Sequence, residues 1–283
     1  MKPDWLKIKL PASNERISKV KNILKKHGLE TVCAESHCPN ISGCWDSGAA
    51  TFMILGKNCT RACKFCNVES KWPGGLPPDP MEPRNVADTA KDLGLEYVVI
   101  TSVDRDDLSD FGSKHFAECI REVRNHATVE VLIPDFQGNE EAIKRIVDAK
   151  PHVIAHNIET VKRMQSIRDK RANYYQSMKV LETVKKMDSR IFTKSSIMVG
   201  LGETEEEVLQ VMHDLREIYV DFLTIGQYLR PNDWNIPVKE FVTPEKFELY
   251  RKAGEKLGFK YVTAGPFVRS SYRAGELFKS LNR

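Results

Sequence analysis

The sequence predicts an α/β fold built as a partial (β/α)6, TIM-like barrel. Six short apolar runs rich in β-branched residues alternate with amphipathic helical patterns, an order typical of parallel βαβ units. Six units are two short of a complete eight-stranded barrel. A doubly wound open sheet is the alternative, but no Gly-x-Gly-x-x-Gly motif follows the first strand, so a dinucleotide-binding fold lacks its main signature.

The elements follow from hydrophobic spacing. Ile17, Val20 and Leu24 lie at helical spacing and predict a first helix, with Asn14 as its candidate N-cap. The predicted strands occupy residues 51–55, 95–101, 128–133, 152–156, 190–199 and 221–225. The predicted helices occupy residues 83–93, 113–125, 139–149, 175–187 and 204–217, and residues 72–83 form a loop rich in proline and glycine.

Capping residues support this alternation. Asn139 and Thr204 are expected to cap two of the helices, because each precedes a first turn that contains glutamate. Thr243-Pro244 begins a last helix, which Gly258 follows.

The composition is that of a globular protein, with 283 residues of which 41% are apolar and 29% charged. It excludes a wholly disordered, collagen-like or coiled-coil chain. The formal net charge of +4 is mild and does not require a nucleic-acid partner. No apolar run approaches the roughly 18 residues of a membrane span, and the first residues show no signal or transit pattern. We therefore expect no membrane association and a cytoplasmic location.

Six of the seven cysteines fall between positions 33 and 66. An odd number of cysteines, in a chain of this size without a secretion signal, argues against a disulfide framework. Their clustering instead indicates metal or redox chemistry. The seventh, Cys119, lies on a predicted helix with Phe116, Ile120 and Val123 and is interpreted as a core thiol.

The second cysteine group reads Cys59-Thr-Arg-Ala-Cys63-Lys-Phe-Cys66 and follows the first predicted strand, where barrel enzymes place their chemistry. Three thiolates on a four-iron, four-sulfur cluster leave one iron open to a substrate or cofactor. A structural zinc site is the alternative. Because zinc usually takes four protein ligands, it would need His115 or another distant residue.

The first cysteine group reads Cys33-Ala-Glu-Ser-His-Cys38-Pro-Asn-Ile-Ser-Gly-Cys44 and is less specific by itself. His37 adjoins Cys38 and is interpreted as exposed rather than as a ligand. Three cysteines again leave a fourth position open. The segment Gly265-Pro-Phe-Val-Arg-Ser-Ser-Tyr272, which follows a strand-like stretch at 260–264, offers a candidate for it.

The second cysteine group, with Phe65 before its last cysteine, resembles the signature of the radical S-adenosylmethionine (SAM) enzymes, whose usual fold is a partial barrel. Both groups together with Arg269-Ser-Ser-Tyr272 resemble the lipoyl synthase family more narrowly. Further stretches similar to that family are residues 50–56, 97–108, 130–135, 156–161, 197–204 and 223–229. The chain departs from the family pattern at Phe111, Ser196, Asn235 and Asp169-Lys170, which concern substrate fit and loop geometry rather than cluster ligands.

The resemblance implies two 4Fe-4S clusters. The implied ligands of the cluster that cleaves SAM to a 5′-deoxyadenosyl radical are Cys59, Cys63 and Cys66. The implied ligands of an auxiliary cluster that donates sulfur are Cys33, Cys38, Cys44 and Ser271, with Ser270 as the alternative serine. An alkoxide is a poor match for iron otherwise held by soft thiolates, so it is expected to dissociate readily from a cluster that surrenders sulfide.

SAM also needs polar groups for its adenine, ribose and sulfonium. The predicted contacts are Phe65, Thr101, Ser102, Asn157, Glu159 and Met198. Local capping, turns or backbone contacts are the alternative role for the polar residues among them. The Gly200-Leu-Gly202 turn is a further candidate, since glycine permits close backbone contact, and a tight turn is its alternative.

The implied substrate is an octanoyl chain on a lysine of a lipoyl carrier domain, from a 2-oxoacid dehydrogenase E2 subunit or the glycine cleavage H protein. Radicals from two SAM molecules remove hydrogen at C6 and C8, and each carbon radical takes a sulfide. The other implied partners are an electron donor such as ferredoxin or flavodoxin and an iron-sulfur carrier protein. An acidic carrier domain would suit the basic run Lys19, Lys21, Lys25 and Lys26, for which a solvated helix face is the alternative.

Three regions are expected: an N-terminal extension with the auxiliary cysteines (1–50), the barrel (51–264) and a C-terminal extension (265–283). A tRNA methylthiotransferase is one alternative function, but the 19 residues after Ala264 are too few for its RNA-binding β-module. A non-catalytic metal-binding interaction protein is the other. Metal content separates it from an enzyme, because bound iron with acid-labile sulfide indicates the enzyme and zinc alone the binding module.

Overall fold

The computed structural model describes residues 3–7, 15–46 and 51–280, so the candidate cap Asn14 lies outside the described residues. The chain divides into two compact units. The first comprises Ile8–Ala62 and Asn67–Val153, and the second comprises Met1–Lys7, Cys63–Cys66 and Ile154–Arg283. The predicted regions 1–50, 51–264 and 265–283 remain a prediction.

Strands and helices alternate through the first unit. Its strands are β1 (Glu30–Thr31), β2 (Thr51–Ile54), β3 (Asn58–Cys59), β4 (Glu69–Ser70), β5 (Tyr97–Ser102) and β6 (Thr128–Leu132). Its helices are α1 (Glu15–His27), α2 (Val32–Glu35), α3 (Ile41–Asp46), α4 (Glu82–Asp92), α5 (Ser113–Arg124) and α6 (Glu140–Asp148).

Parallel pairing brings the carboxyl ends of β2, β5 and β6 to one edge. Strand β2 pairs with β5, and β5 pairs with β6, both in parallel, whereas β1 runs antiparallel to β2. All four residues of β2 are buried, as expected for a parallel strand that is covered on both faces. The two-residue strands β3 and β4 form a separate parallel pair, and β3 ends at Cys59.

The second unit continues the same alternation. Its strands are β7 (Val153–Ala155), whose first residue is the last of the first unit, β8 (Phe192–Val199), β9 (Phe222–Gln227) and β10 (Tyr261–Gly265). Its helices are α7 (Tyr174–Met187), α8 (Glu205–Glu217), α9 (Pro244–Leu257) and α10 (Ala274–Ser280). Strand β9 pairs in parallel with β8 and with β10. Its apolar side chains Leu223 and Ile225 are fully buried in a core with residues of α8 and α9.

The predicted α/β fold is confirmed. All six predicted strands are present, and each of the five predicted helices is displaced by at most one residue at either end. Asn139 accepts a hydrogen bond from the Ala142 amide at 2.8 Å, and Thr204 forms a capping box with Glu207. The short elements β1, β3, β4, α2 and α3 were not predicted, because two to six residues are too few to show a hydrophobic period.

Among the described residues, no helix combines the length and the apolar character needed to cross a bilayer.

Candidate active site

The cysteines of the first group lie on and between the two short helices α2 and α3. Thr31 caps α2 by accepting a hydrogen bond from the Ala34 amide at 3.3 Å, which places Cys33 in the first turn of that helix. The Cys38 amide donates to the Cys33 carbonyl at 3.0 Å, and Cys44 lies on α3. His37, between the two helices, is exposed as expected.

The three thiols lie within electrostatic reach of one another. Burial, followed by the neighbouring Cys33 and Cys38 thiolates, raises the pKa of Cys44 to about 12. Burial also raises the pKa of Cys33. None of the seven cysteines forms a disulfide. Cys33 is buried and Cys38 and Cys44 are half-buried, and three soft thiolate donors of this kind suit an iron-sulfur cluster.

Cys59 ends β3 and lies in the first unit. Its sulfur accepts a hydrogen bond from the Arg61 amide at 3.4 Å and lies 3.7 Å from Oδ2 of Asp104. The Lys71 amide donates to its carbonyl at 2.8 Å, so the parallel pair of β3 and β4 fixes its backbone.

Arg61, two residues after Cys59, forms a buried clamp with two carboxylates. Its Nη1 and Nη2 donate to Asp135 at 2.9 and 2.6 Å, and its Nε and Nη2 donate to Asp106 at 2.8 and 3.0 Å. Burial alone would lower the pKa of Arg61, but the hydrogen bonds to both aspartates hold that pKa above its ordinary value. Two bidentate pairs on one planar guanidinium are beyond the reach of lysine.

The rest of the charged loop after β5 is also paired. Arg105 is 2% exposed and binds Asp107 through two hydrogen bonds of 2.8 and 3.0 Å. Its Nη1 also donates to the carbonyl of Leu76 at 3.1 Å. These contacts hold the loop that follows β5.

Cys63 and Cys66 lie in the second unit. The Cys66 amide donates to the Cys63 carbonyl at 3.0 Å, which closes a turn. The Asp169 amide donates to the Cys63 sulfur at 3.2 Å. The contact from the Asp169 amide is compatible with a metal-bound thiolate, since hydrogen bonds to ligand sulfurs are common around iron-sulfur clusters.

Asn235 holds this turn from a distant part of the chain. It is 4% exposed, and its Nδ2 donates to the carbonyls of Lys64 at 3.1 Å and Cys66 at 2.9 Å. The sequence identified Asn235 only as a departure from the family pattern. No local signal could reveal its role, since 171 residues separate it from Lys64.

Two predicted SAM contacts end β5 in the first unit. Thr101 donates its hydroxyl to the Leu132 carbonyl at 3.0 Å, which is the structural role weighed as its alternative. The Ser102 hydroxyl is buried and finds no hydrogen-bond partner among the described residues. A buried orphan hydroxyl at the carboxyl edge of a parallel sheet fits a bound polar ligand.

Asn157 and Glu159 lie together in the second unit. Asn157 donates to Glu159 at 3.1 Å, while its own Oδ1 is buried and has no partner within the described part of the chain. Glu159 has a left-handed φ of 68°, a strained conformation for glutamate. Its burial raises its pKa. An orphan acceptor beside a half-buried acid fits the donors and the cationic sulfonium of SAM.

The two remaining predicted contacts are apolar. Phe65 and Met198 pack against the same buried cluster in the second unit, formed by Ile167, Leu201 and Tyr228. Gly200 in the adjacent turn has a φ of 94°, and a Cβ there would lie 2.1 Å from Nε2 of Gln227. The left-handed φ, together with the Glu240 carbonyl oxygen that would lie 2.4 Å from the same Cβ, therefore accounts for this glycine.

The serines of the carboxyl-terminal motif are half-buried in the second unit. Ser271 and Ser270 lie between β10 and α10. The Ser271 carbonyl accepts a hydrogen bond from the Ala274 amide at 3.4 Å, just before α10 begins.

Two residues from the alternative interpretations have structural roles. His115, the distant residue considered for a zinc site, lies 2.6 Å from the Glu82 carboxylate and is 7% exposed. Cys119 is fully buried on α5, as expected for a core thiol, and burial raises its pKa.

Comparison with known proteins gives a consistent result. Residues 53–215 match the model of the radical SAM superfamily. The chain is 51% identical to the lipoyl synthase of Methanocella arvoryzae, over 99% of this chain and 95% of the relative. It is 52% identical to that of Myxococcus xanthus (98% and 93% covered) and 54% identical to that of Caldanaerobacter subterraneus (96% and 95% covered).

Solved structures support the fold alone. Methylornithine synthase matches with a TM-score of 0.57 at 15% identity, covering 75% of this chain and 63% of that one. Streptococcus suis SuiB bound to its precursor peptide SuiA matches with a TM-score of 0.58 at 12% identity, covering 95% and 58%.

Proposed function

The chain belongs to the lipoyl synthase family of the radical SAM superfamily, and we propose that its two cysteine groups hold two 4Fe-4S clusters with separate tasks. It is a sulfur-inserting enzyme that uses a 4Fe-4S cluster and SAM. Cys59, Cys63 and Cys66 would hold the first cluster, with its fourth iron open to SAM. Cys33, Cys38, Cys44 and Ser271 would hold the auxiliary cluster.

When bound, the first cluster and SAM supply the radical that removes hydrogen from C6 and C8 of a protein-bound octanoyl-lysine, and the auxiliary cluster supplies the sulfur. A second cluster is best supported by the proximity of these cysteines: Cys38 lies near enough to raise the pKa of Cys33, and both lie near enough to raise that of Cys44. In this proposal residues 51–264 form the catalytic part, and residues 1–50 and 265–283 are extensions that supply the ligands of the auxiliary cluster.

The chain's own residues orient the cofactors. Arg61, clamped by Asp106 and Asp135, fixes the backbone that carries Cys59. Asn235 fixes the turn from Cys63 to Cys66. Ser102 and Asn157 offer buried polar atoms to SAM, and Glu159 offers a carboxylate to its positive charge. Phe65 and Met198 would form an apolar surface beside SAM.

An anaerobic assay tests this function. The protein, reconstituted with iron and sulfide, is incubated with SAM, a reductant and an octanoyl-lysyl peptide, and mass spectrometry follows both products. We expect 5′-deoxyadenosine and a peptide that carries two sulfur atoms. Deoxyadenosine without peptide sulfuration would support the radical chemistry but show that the octanoyl-lysyl peptide is not the substrate. Protein that contains both clusters and yields neither product would contradict the proposal.

The partner that carries the octanoyl chain is proposed to be acidic and to dock on α1. Lys19, Lys21 and Lys25 on this helix are exposed. Lys26 is exposed as well and forms an ion pair of 2.9 Å with Asp92. The proposed electron donor is a ferredoxin or flavodoxin, and an iron-sulfur carrier protein is the proposed source of new clusters.

Reversing charge on α1 is expected to weaken carrier binding. The double variant Lys21→Glu, Lys25→Glu should raise KM for an octanoylated acidic carrier domain about tenfold at low salt, with a smaller effect at high salt. Lys114→Glu, Lys256→Glu is the control, since both of these lysines are exposed and the net charge changes equally. Equal KM values for the two double variants at low salt would show that the carrier domain does not dock on α1.

A further inference from the structure

Gly226 lies in the middle of a strand, where glycine usually signals the close approach of another backbone. It belongs to β9 and pairs with Met198 of β8 on one side and Gly265 of β10 on the other. It does not have a left-handed φ, so its backbone conformation is open to any residue. Space is therefore the only local reason for glycine at this position.

The space is taken by the segment that follows β10. A Cβ at position 226 would lie 2.1 Å from the carbonyl oxygen of Val268 and 3.0 Å from its carbonyl carbon. The obstacle is backbone, which cannot rotate aside as a side-chain end can. Any side chain at position 226 would push Val268 away from the sheet.

Val268 is the residue directly before the Arg269-Ser-Ser-Tyr272 motif. It is 5% exposed, its amide donates to the Gly265 carbonyl at 3.1 Å, and its carbonyl accepts from Nη1 of Arg269 at 2.6 Å. Beyond the motif, the ring of Phe278 on α10 packs edge-on against Phe192 at 5.8 Å. Contacts therefore fix the chain on both sides of the motif.

We propose that Gly226 is a positioning residue that seats the Arg269-Ser-Ser-Tyr272 motif in the backbone conformation that its proposed serine ligand requires. The inference rests on the proposed role of this motif in cluster binding. Gly226 acts through Val268, and its own contribution is the absence of a side chain.

Gly265 provides a matched control. It pairs directly with Gly226 in the neighbouring strand, it also lacks a left-handed φ, and it lies in the same backbone segment as Val268. A Cβ at position 265 would meet only Cγ2 of Val268 at 3.4 Å, an ordinary contact. Gly265→Ala therefore adds the same methyl group without displacing the motif.

The first measurement is hydrogen exchange of the cluster-free protein, which needs no activity. In Gly226→Ala, peptides that cover residues 266–273 should exchange at least tenfold faster than in the parent and in Gly265→Ala, because the amides of Val268 and Tyr272 lose their local partners. Arg269→Ala, which uncaps the Val268 carbonyl without a clash inside the sheet, should change exchange in the same direction if Gly226→Ala cannot be purified. Unchanged exchange in the variants would overturn the proposal.

The second measurement is iron and acid-labile sulfide after reconstitution. Gly226→Ala should retain one cluster and deoxyadenosine formation, and Gly265→Ala should retain both clusters. Two clusters in Gly226→Ala despite faster exchange would also overturn the proposal. Ser271→Ala and Ser270→Ala test the proposed function separately: if neither loses a cluster, the serine ligand is wrong, whereas the seating of the segment by Gly226 is still judged by exchange.

Discussion

Cys63→Ala is expected to abolish 5′-deoxyadenosine formation, whereas Cys38→Ala is expected to abolish sulfur insertion and leave deoxyadenosine formation in place. The two thiols belong to different proposed clusters. Loss of a ligand from the first cluster removes the site at which SAM is cleaved. Loss of a ligand from the auxiliary cluster removes only the sulfur source, because Cys38 and its neighbours form a group of their own.

The measurement is liquid chromatography with mass spectrometry on matched anaerobic reactions, with iron and sulfide determined for each variant. We expect a fall in deoxyadenosine of at least a thousandfold for Cys63→Ala and of less than threefold for Cys38→Ala. Cys119→Ala is the control, since this thiol is fully buried on α5 and has only a packing role. It should retain both clusters and both products.

The opposite pattern would contradict the assignment. If Cys38→Ala lost deoxyadenosine and Cys63→Ala kept it, the roles of the two groups would be exchanged. If both variants lost both products while each retained one intact cluster, the two clusters would not act in separable steps.

The sequence predicted the parts of this site that depend on short spacing. Cys59, Cys63 and Cys66 fall within eight positions, and Phe65 lies among them, so their relation could be read directly from the chain. Asn157 and Glu159 also lie two residues apart, beside a predicted strand end. The strands themselves were predicted because buried parallel strands are continuous apolar runs.

The supports of the site could not be predicted in this way. Arg61 meets Asp135 across 74 positions, and Asn235 meets the carbonyl of Cys66 across 169. Such pairs depend on tertiary structure, and an arginine or asparagine in a loop has no periodic signal that identifies its partner. Gly226 differs again, because its role depends on the Val268 backbone packed against it rather than on a partner that it binds.

Arg61→Ala is expected to lower the free energy of unfolding by about 3–5 kcal/mol and to prevent assembly of the first cluster. Arg61 is 4% exposed, and the side chains of Asp106 and Asp135 are almost fully buried. Removal of the cation leaves the two carboxylates close together in the interior without the arginine's positive charge, although the Thr60 hydroxyl still donates to Asp106 and the Gln137 amide to Asp135. Their repulsion and poor solvation would displace the loop that carries Cys59, whose sulfur accepts a hydrogen bond from the Arg61 amide.

Arg61→Lys separates charge from geometry. Lysine keeps the positive charge but cannot make two bidentate contacts at once, so we expect an intermediate loss of stability and a large loss of deoxyadenosine formation. Urea unfolding of the cluster-free protein measures the first effect, and the deoxyadenosine assay after reconstitution measures the second. Arg190→Lys is the control, because Arg190 binds Asp188 with a similar two-point geometry at 2.9 and 2.8 Å but is exposed, where such pairs contribute little. Equal unfolding midpoints for Arg61→Ala and the parent would show that the clamp does not hold the loop, and full deoxyadenosine formation in Arg61→Lys would show that two-point geometry is dispensable for it.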